Sequence, residues 1–181
     1  MGILNLWLPI LASAAVCFFA SSVIWMVLKW HNSDYKKTDR EDVVRTALSG
    51  AKPGFYAVPH CAEYADLAKP EMAEKFAAGP VAYVAVVPNG MPPMGPKLLS
   101  MVVYFLMVSV LCAYVVTRTL APDAEYLAVF RIAGTVAFIA NGIGVIPESV
   151  WFGRPWPVTA KTLLDAMIYG LLTGGVFGWL V

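Results

Sequence analysis

The residues of this chain that can do chemistry fall into two groups. His60, Cys61, Glu63 and Asp66 lie close together and are all metal-ligand types. A structural zinc site needs a complete ligand set at recognisable spacing, and no second Cys or His pair is present to supply it. The remaining histidine, His31, directly follows an apolar stretch. The sequence therefore predicts no metal site, and His60 to Asp66 reads as a polar loop between a strand and a helix. Nucleophilic catalysis lacks its Gly-x-Ser-x-Gly elbow, and neither a phosphate loop nor a dinucleotide fingerprint is present. Asn89-Gly90 is a turn signal.

The second group is Asn141, Glu148, Arg154, Lys161 and Asp165, which sit on or between two apolar stretches. Polar groups at membrane depth are costly and pair with one another inside the protein. Glu148 with Arg154 or Lys161, and Lys161 with Asp165 at i, i+4 spacing, are the expected pairs. They would fasten the loop of residues 151–157. A proton or ion path is the second reading, with Asn141 and Glu148 lining it, although Asn141 is neutral and both carboxylates fall near one face. Arg131 is expected to snorkel outward or to pair with Asp123 or Glu125.

These groups are carried by apolar segments, at roughly Leu4–Trp30, Leu98–Thr117, Tyr126–Pro147 and Leu163–Val181, each near the ~20 residues that cross a bilayer. The chain is 59% hydrophobic and only 14% charged, far from the balance of a water-soluble domain. Its net charge of +1 points to no nucleic-acid partner. Three cysteines, Cys17, Cys61 and Cys112, suggest no disulfide framework. The first segment has no basic leader, and its apolar run exceeds the roughly 7–15 residues of a signal-peptide core, so it reads as a retained helix.

Lys29, Lys36, Lys37, Arg40, Lys97, Arg154 and Lys161 all fall on the side of the long segment between helices one and two. Only Arg118, with Arg131 a little inside the third helix, stands on the opposite side. The positive-inside bias predicts a cytoplasmic insert and periplasmic termini in a bacterial inner membrane. Trp25, Trp30, Tyr126, Trp151 and Trp156 are placed for the aromatic belt. A ligand-binding aromatic box at Trp151, Phe152 and Trp156 is the sharper alternative.

Within the insert, Thr38 and Glu41 form a capping-box pattern ahead of a short helix over about Asp39–Leu48. Gly54–Val58 reads as a strand and Pro70–Ala78 as a helix with proline in its first turn. Val81–Val87, rich in Val and Tyr between Gly and Pro signals, is the second strand. The fold class expected is an all-α membrane protein with four transmembrane helices and a small cytoplasmic α+β insert between helices 1 and 2. Its divisions are residues 1–30, 31–97 and 98–181.

Gly170, Gly174 and Gly178 repeat every four residues on the last helix, a Gly-x-x-x-Gly face that admits another backbone. Ala133, Ala137 and Asn141, with Ala140 and Gly144 beside them, are the expected counterpart on helix three. Dimerisation or docking onto a helix of a larger assembly is the alternative use of this face.

The runs Trp30-His31-Asn32-Ser33-Asp34-Tyr35, Pro93-Met94-Gly95 and Phe152-Gly153-Arg154-Pro155-Trp156 resemble an uncharacterised family of small four-span bacterial inner-membrane proteins. That resemblance implies bacterial origin and assigns no activity or site residue. The functional expectation is an accessory or scaffolding subunit of a membrane complex, with the lipid bilayer and a membrane protein or second copy as partners. A small oligomeric transporter or channel is the second expectation. An intramembrane lipid-modifying enzyme using His60, Glu63 and Glu148 is the third. His31 or an aromatic pocket could contact a cofactor or pigment, yet no sequence motif demands one.

Overall fold

The computed structural model describes residues 2–181, with the backbone alone at Tyr64. Four helical segments are long and apolar enough to cross a membrane. The first joins a 3-10 turn (Ile3–Leu6), α1 (Trp7–Val23) and a π turn (Ile24–Leu28). Between it and the second lie α2 (Glu41–Ala47), β1 (Gly54–Val58), a 3-10 turn (Tyr64–Ala68), α3 (Pro70–Ala78) and β2 (Ala82–Val86). The second span is α4 (Met94–Thr119). The third is α5 (Tyr126–Gly142), a 3-10 turn (Ile143–Val145) and α6 (Ile146–Trp151), and the fourth is α7 (Trp156–Leu180). Spans of 25 or 26 residues make about 38 Å of helix, enough for the ~30 Å hydrocarbon core. The protein is an integral, multi-pass membrane protein in architecture.

The fourth span starts at Trp156 rather than at Leu163, because Pro157 at its first turn needs no N–H partner and Lys161 is tolerated near the helix end. Lys161 and Asp165 are therefore both inside α7. In the third span Pro147 cannot donate to the preceding turn, and the helix tightens through the 3-10 turn at Ile143–Val145 before resuming as α6.

Large apolar side chains such as Leu11, Phe19, Met107, Leu111 and Leu171 are exposed along the spans, as a bilayer solvent requires. The interior is filled by Leu6, Ile10, Val108, Cys112, Val116, Val129, Ala133, Ala137 and Phe177. A second cluster gathers Ala14, Cys17, Ile24, Phe105 and Tyr169.

The closest seam joins α5 and α7. A Cβ at Gly174 would lie 2.7 Å from the Phe130 carbonyl oxygen, and one at Gly170 would lie 2.9 Å from that of Gly134. Gly178 is occupied the same way by the Tyr126 ring, at 2.8 Å. The glycine face is thus used inside the chain. Its counterpart is Phe130, Gly134 and Phe138 rather than the alanine stripe, which turns toward α4, where the Cys112 thiol donates to the Ala133 carbonyl at 3.4 Å.

The chain divides into two compact units, residues up to Tyr35 with Pro93–Val181, and Lys36–Pro92. The second unit is built on the antiparallel pair β1 and β2, with Tyr56 opposite Val84. Thr38 does not close a capping box: its hydroxyl accepts from the Arg40 N–H at 3.3 Å, and α2 starts at Glu41 without a side-chain cap. α3 begins at Pro70 and is followed by Gly79 as its C-cap, whose φ of +56° favours glycine.

Candidate functional site

The first span ends by unwinding. After the π turn, Lys29 adopts φ +53° and its N–H bonds the Ile24 carbonyl at 3.0 Å, a left-handed stop that is uncommon for a non-glycine residue. The chain then forms a 3-10 turn over Trp30–Asp34 that lies against α7. This turn places His31, only 4% exposed, between two carboxylates. Its Nδ1 is 2.6 Å from Asp34 Oδ2 and its Nε2 is 2.8 Å from Asp165 Oδ2. The Trp25 ring stacks on the imidazole at 4.3 Å, nearly parallel, and fixes its plane.

Lys161, one turn before Asp165 on α7, completes the cluster. Its ammonium donates to Asp34 Oδ1 at 2.6 Å, to the Trp30 carbonyl at 2.7 Å and to Ser33 Oγ at 2.7 Å. All the donors of a lysine are engaged. Burial pushes the Asp34 carboxyl up, but the hydrogen bonds from Lys161 and His31, with their field, outweigh it and hold it below its ordinary value.

A carboxylate only accepts hydrogen bonds. An imidazole with a carboxylate at each nitrogen is either the doubly protonated cation, or neutral with one carboxyl carrying the proton. In both cases Asp34, His31 and Asp165 together carry two protons, one more than a neutral imidazole between two ionised carboxylates, and that extra proton is shared among them. With the cation, His31 and Lys161 balance Asp34 and Asp165 in charge. The second oxygen of Asp165 is buried and has no hydrogen bond, and so is the Trp30 indole N–H. That indole is the neighbouring donor to Asp165, but the two fall outside hydrogen-bond geometry.

Beside the cluster opens a cavity of about 270 Å³ lined by Trp25, His31, Asp34, Glu148 and Arg154. Arg154 donates to Glu148 at 2.7 Å and to Thr162 at 3.0 Å. Away from the cavity, polar side chains continue into the bundle. Tyr169 and Thr173 follow Asp165 at successive turns of α7, covering about 12 Å. Ser21 is the polar neighbour of the Tyr169 hydroxyl. Thr173 Oγ1 is 3.3 Å from Cys17 Sγ, and Ser13 donates to Ser109 at 2.9 Å. All but Ser21 are at most 7% exposed. Beyond Ser13 the interior is closed by Leu6, Ile10, Val116 and Phe177.

The sequence-predicted residues are thus redistributed. Glu148 and Arg154 pair. Lys161 and Asp165 do not bond each other; each turns instead to the 3-10 turn after the first span. Asn141 donates to the Ala137 carbonyl of its own helix at 2.7 Å and does not join Glu148 in a path. Arg131 makes no ion pair with Asp123 or Glu125. His31, the centre of the cluster, was not among the predicted polar group, though a histidine just past a span with an aspartate three residues on is the signal that marks it. Among the described residues no group of three or more His, Cys, Asp or Glu side chains is arranged to hold a metal ion. The Cys61 thiol donates to the Glu63 carbonyl at 3.0 Å, and Asp66 pairs with Lys69.

Fold and site together define a four-span α-helical membrane protein with a buried ionisable cluster at one end of its bundle. A scan against protein-family models and searches of curated proteins and of solved structures found no match.

Proposed function

We propose that the protein is a proton-coupled membrane protein whose Asp34–His31–Asp165 relay takes up and passes on a proton at one membrane face. The observation that carries this reading is the buried histidine with a carboxylate at each ring nitrogen, set at the head of a polar column inside a lipid-spanning bundle. Ionisable groups inside membrane bundles mark ion and proton pathways, and histidine is the side chain suited to exchanging a proton near neutral pH. The positive-inside distribution supports a bacterial inner-membrane location with the cavity and insert on the cytoplasmic side. Cys61 then stays shielded from an impermeant maleimide in spheroplasts, and its labelling from outside contradicts this orientation.

The test is proton flux into proteoliposomes containing a pH-sensitive dye, driven by a potassium diffusion potential. The wild type should acidify the lumen above protein-free vesicles, and His31→Gln should return the rate to that background. Equal rates for wild type and empty vesicles overturn the reading. The alternative, an accessory subunit, is favoured by the exposed aromatic residues Trp151, Phe152 and Trp156. It predicts instead a stoichiometric set of other membrane proteins on gentle extraction.

A further inference from the structure

A second feature lies on the lipid-facing side of the seam between α5 and α7, apart from the His31 cluster. Arg131 stands on the second turn of α5 with its side chain exposed. It makes no hydrogen bond or ion pair among the described residues. A guanidinium inside a membrane-spanning segment needs an anion or a route to the headgroups. Next to it runs a trough of about 250 Å³, lined by Gly134, Thr135 and Phe138 from α5 and Met167, Gly170 and Leu171 from α7. Gly134 and Gly170 line it where the two backbones approach closely, a Cβ at either lying 3.0 or 2.9 Å from the other's carbonyl oxygen. From Arg131 to Phe138 it follows the helix for about 10 Å.

We infer that this groove binds an anionic phospholipid, with the headgroup phosphate on Arg131 and one acyl chain along the trough. Charge complementarity selects the occupant. A second helix would bring apolar side chains to the trough but leave the guanidinium unmatched, whereas a phospholipid supplies the anion and the hydrocarbon in one molecule at the right relative depth. Arg also suits phosphate geometrically, through paired N–H donors.

Native mass spectrometry of the full chain, with phosphatidylglycerol or phosphatidylcholine of identical acyl chains added, tests this. The wild type should retain phosphatidylglycerol roughly fivefold better, the size of one cation's attraction to an anionic surface. Arg131→Gln should abolish that preference. Thr135→Trp, at an exposed position, should reduce retention of both lipids by filling the trough. Arg118→Gln, whose guanidinium sits over the Tyr114 ring elsewhere on the protein, should leave retention unchanged. Equal retention of the two lipids by the wild type, or a preference that survives Arg131→Gln, overturns the headgroup assignment. Unchanged retention in a folded Thr135→Trp protein overturns the placement of the acyl chain.

Discussion

At the scale of single residues, the cluster divides into groups that hold geometry and groups that hold the shared proton. Lys161 spends its donors on Asp34, Ser33 and the Trp30 carbonyl, so it fixes the turn rather than exchanging protons. Asp34 is its counter-charge, and the pair ties the residues after the first span to the last helix. Because the Asp34 carboxyl is held below its ordinary 3.8 in the folded protein, it contributes stability that is fully present above that pH. The contribution is lost as pH falls through the depressed folded value. The Asp34 contribution to thermal stability in detergent should therefore be constant with pH around neutrality and weaken in acid. In Asp34→Asn the acid-induced drop should be smaller, while the whole curve lies lower because Lys161 is left without its carboxylate. An unchanged acid profile in that variant would remove Asp34 from the stabilising network. Glu148 and Arg154, by contrast, form a half-exposed pair that is worth about 0–1 kcal/mol and matters more for lining the cavity than for stability.

At the scale of elements, the seam between α5 and α7 sets how closely the third and fourth spans approach. Gly174→Val would put a branched side chain where even a Cβ comes within 2.7 Å of the Phe130 carbonyl. Backbone cannot move aside as a side-chain tip can. The cost should be about 3 kcal/mol, at the upper end for overpacking, read as a lower unfolding midpoint. Gly144→Ala is the control, since nothing lies within 4 Å of its Cβ position, and it should stay within about 0.5 kcal/mol of the wild type. Elements of the insert were legible because their boundaries are local: proline and glycine bracket β1, α3 and β2, and the periods between them are short. The glycine stripe of α7 was legible for the same reason. Its partner was not, because alanine recurrence pointed to Ala133 and Ala137 while the contact is made through Gly134, which a stripe of small residues does not single out. The start of α7 was misplaced by reading hydropathy alone, which Lys161 depresses, although Pro157 carried the correct signal.

At the scale of the whole molecule, the number of spans follows from composition, and the site follows from topology. Lys161 and Asp165 look self-sufficient in sequence, at i, i+4 spacing. In the fold they face a turn more than a hundred residues earlier, because the first and fourth spans are neighbours. No periodicity announces a partnership across that separation, which is why His31 was placed beside the membrane but not at the centre of the cluster. The same neighbourhood brings α1, α4 and α7 together around Tyr169, Thr173, Cys17, Ser13 and Ser109. A mere clamp at the membrane face needs none of these, whereas a proton moving inward from Asp165 does. The most direct measurement is therefore proton flux through a Cys17→Ala, Thr173→Val double variant, which removes a contact about two helical turns away from the relay. Replacing both partners of a buried hydrogen bond with apolar groups of similar shape is close to neutral for stability, so the protein should keep its unfolding midpoint. The proton-path account predicts that flux falls to the level of protein-free vesicles with the fold intact; wild-type flux in the folded double variant would contradict it.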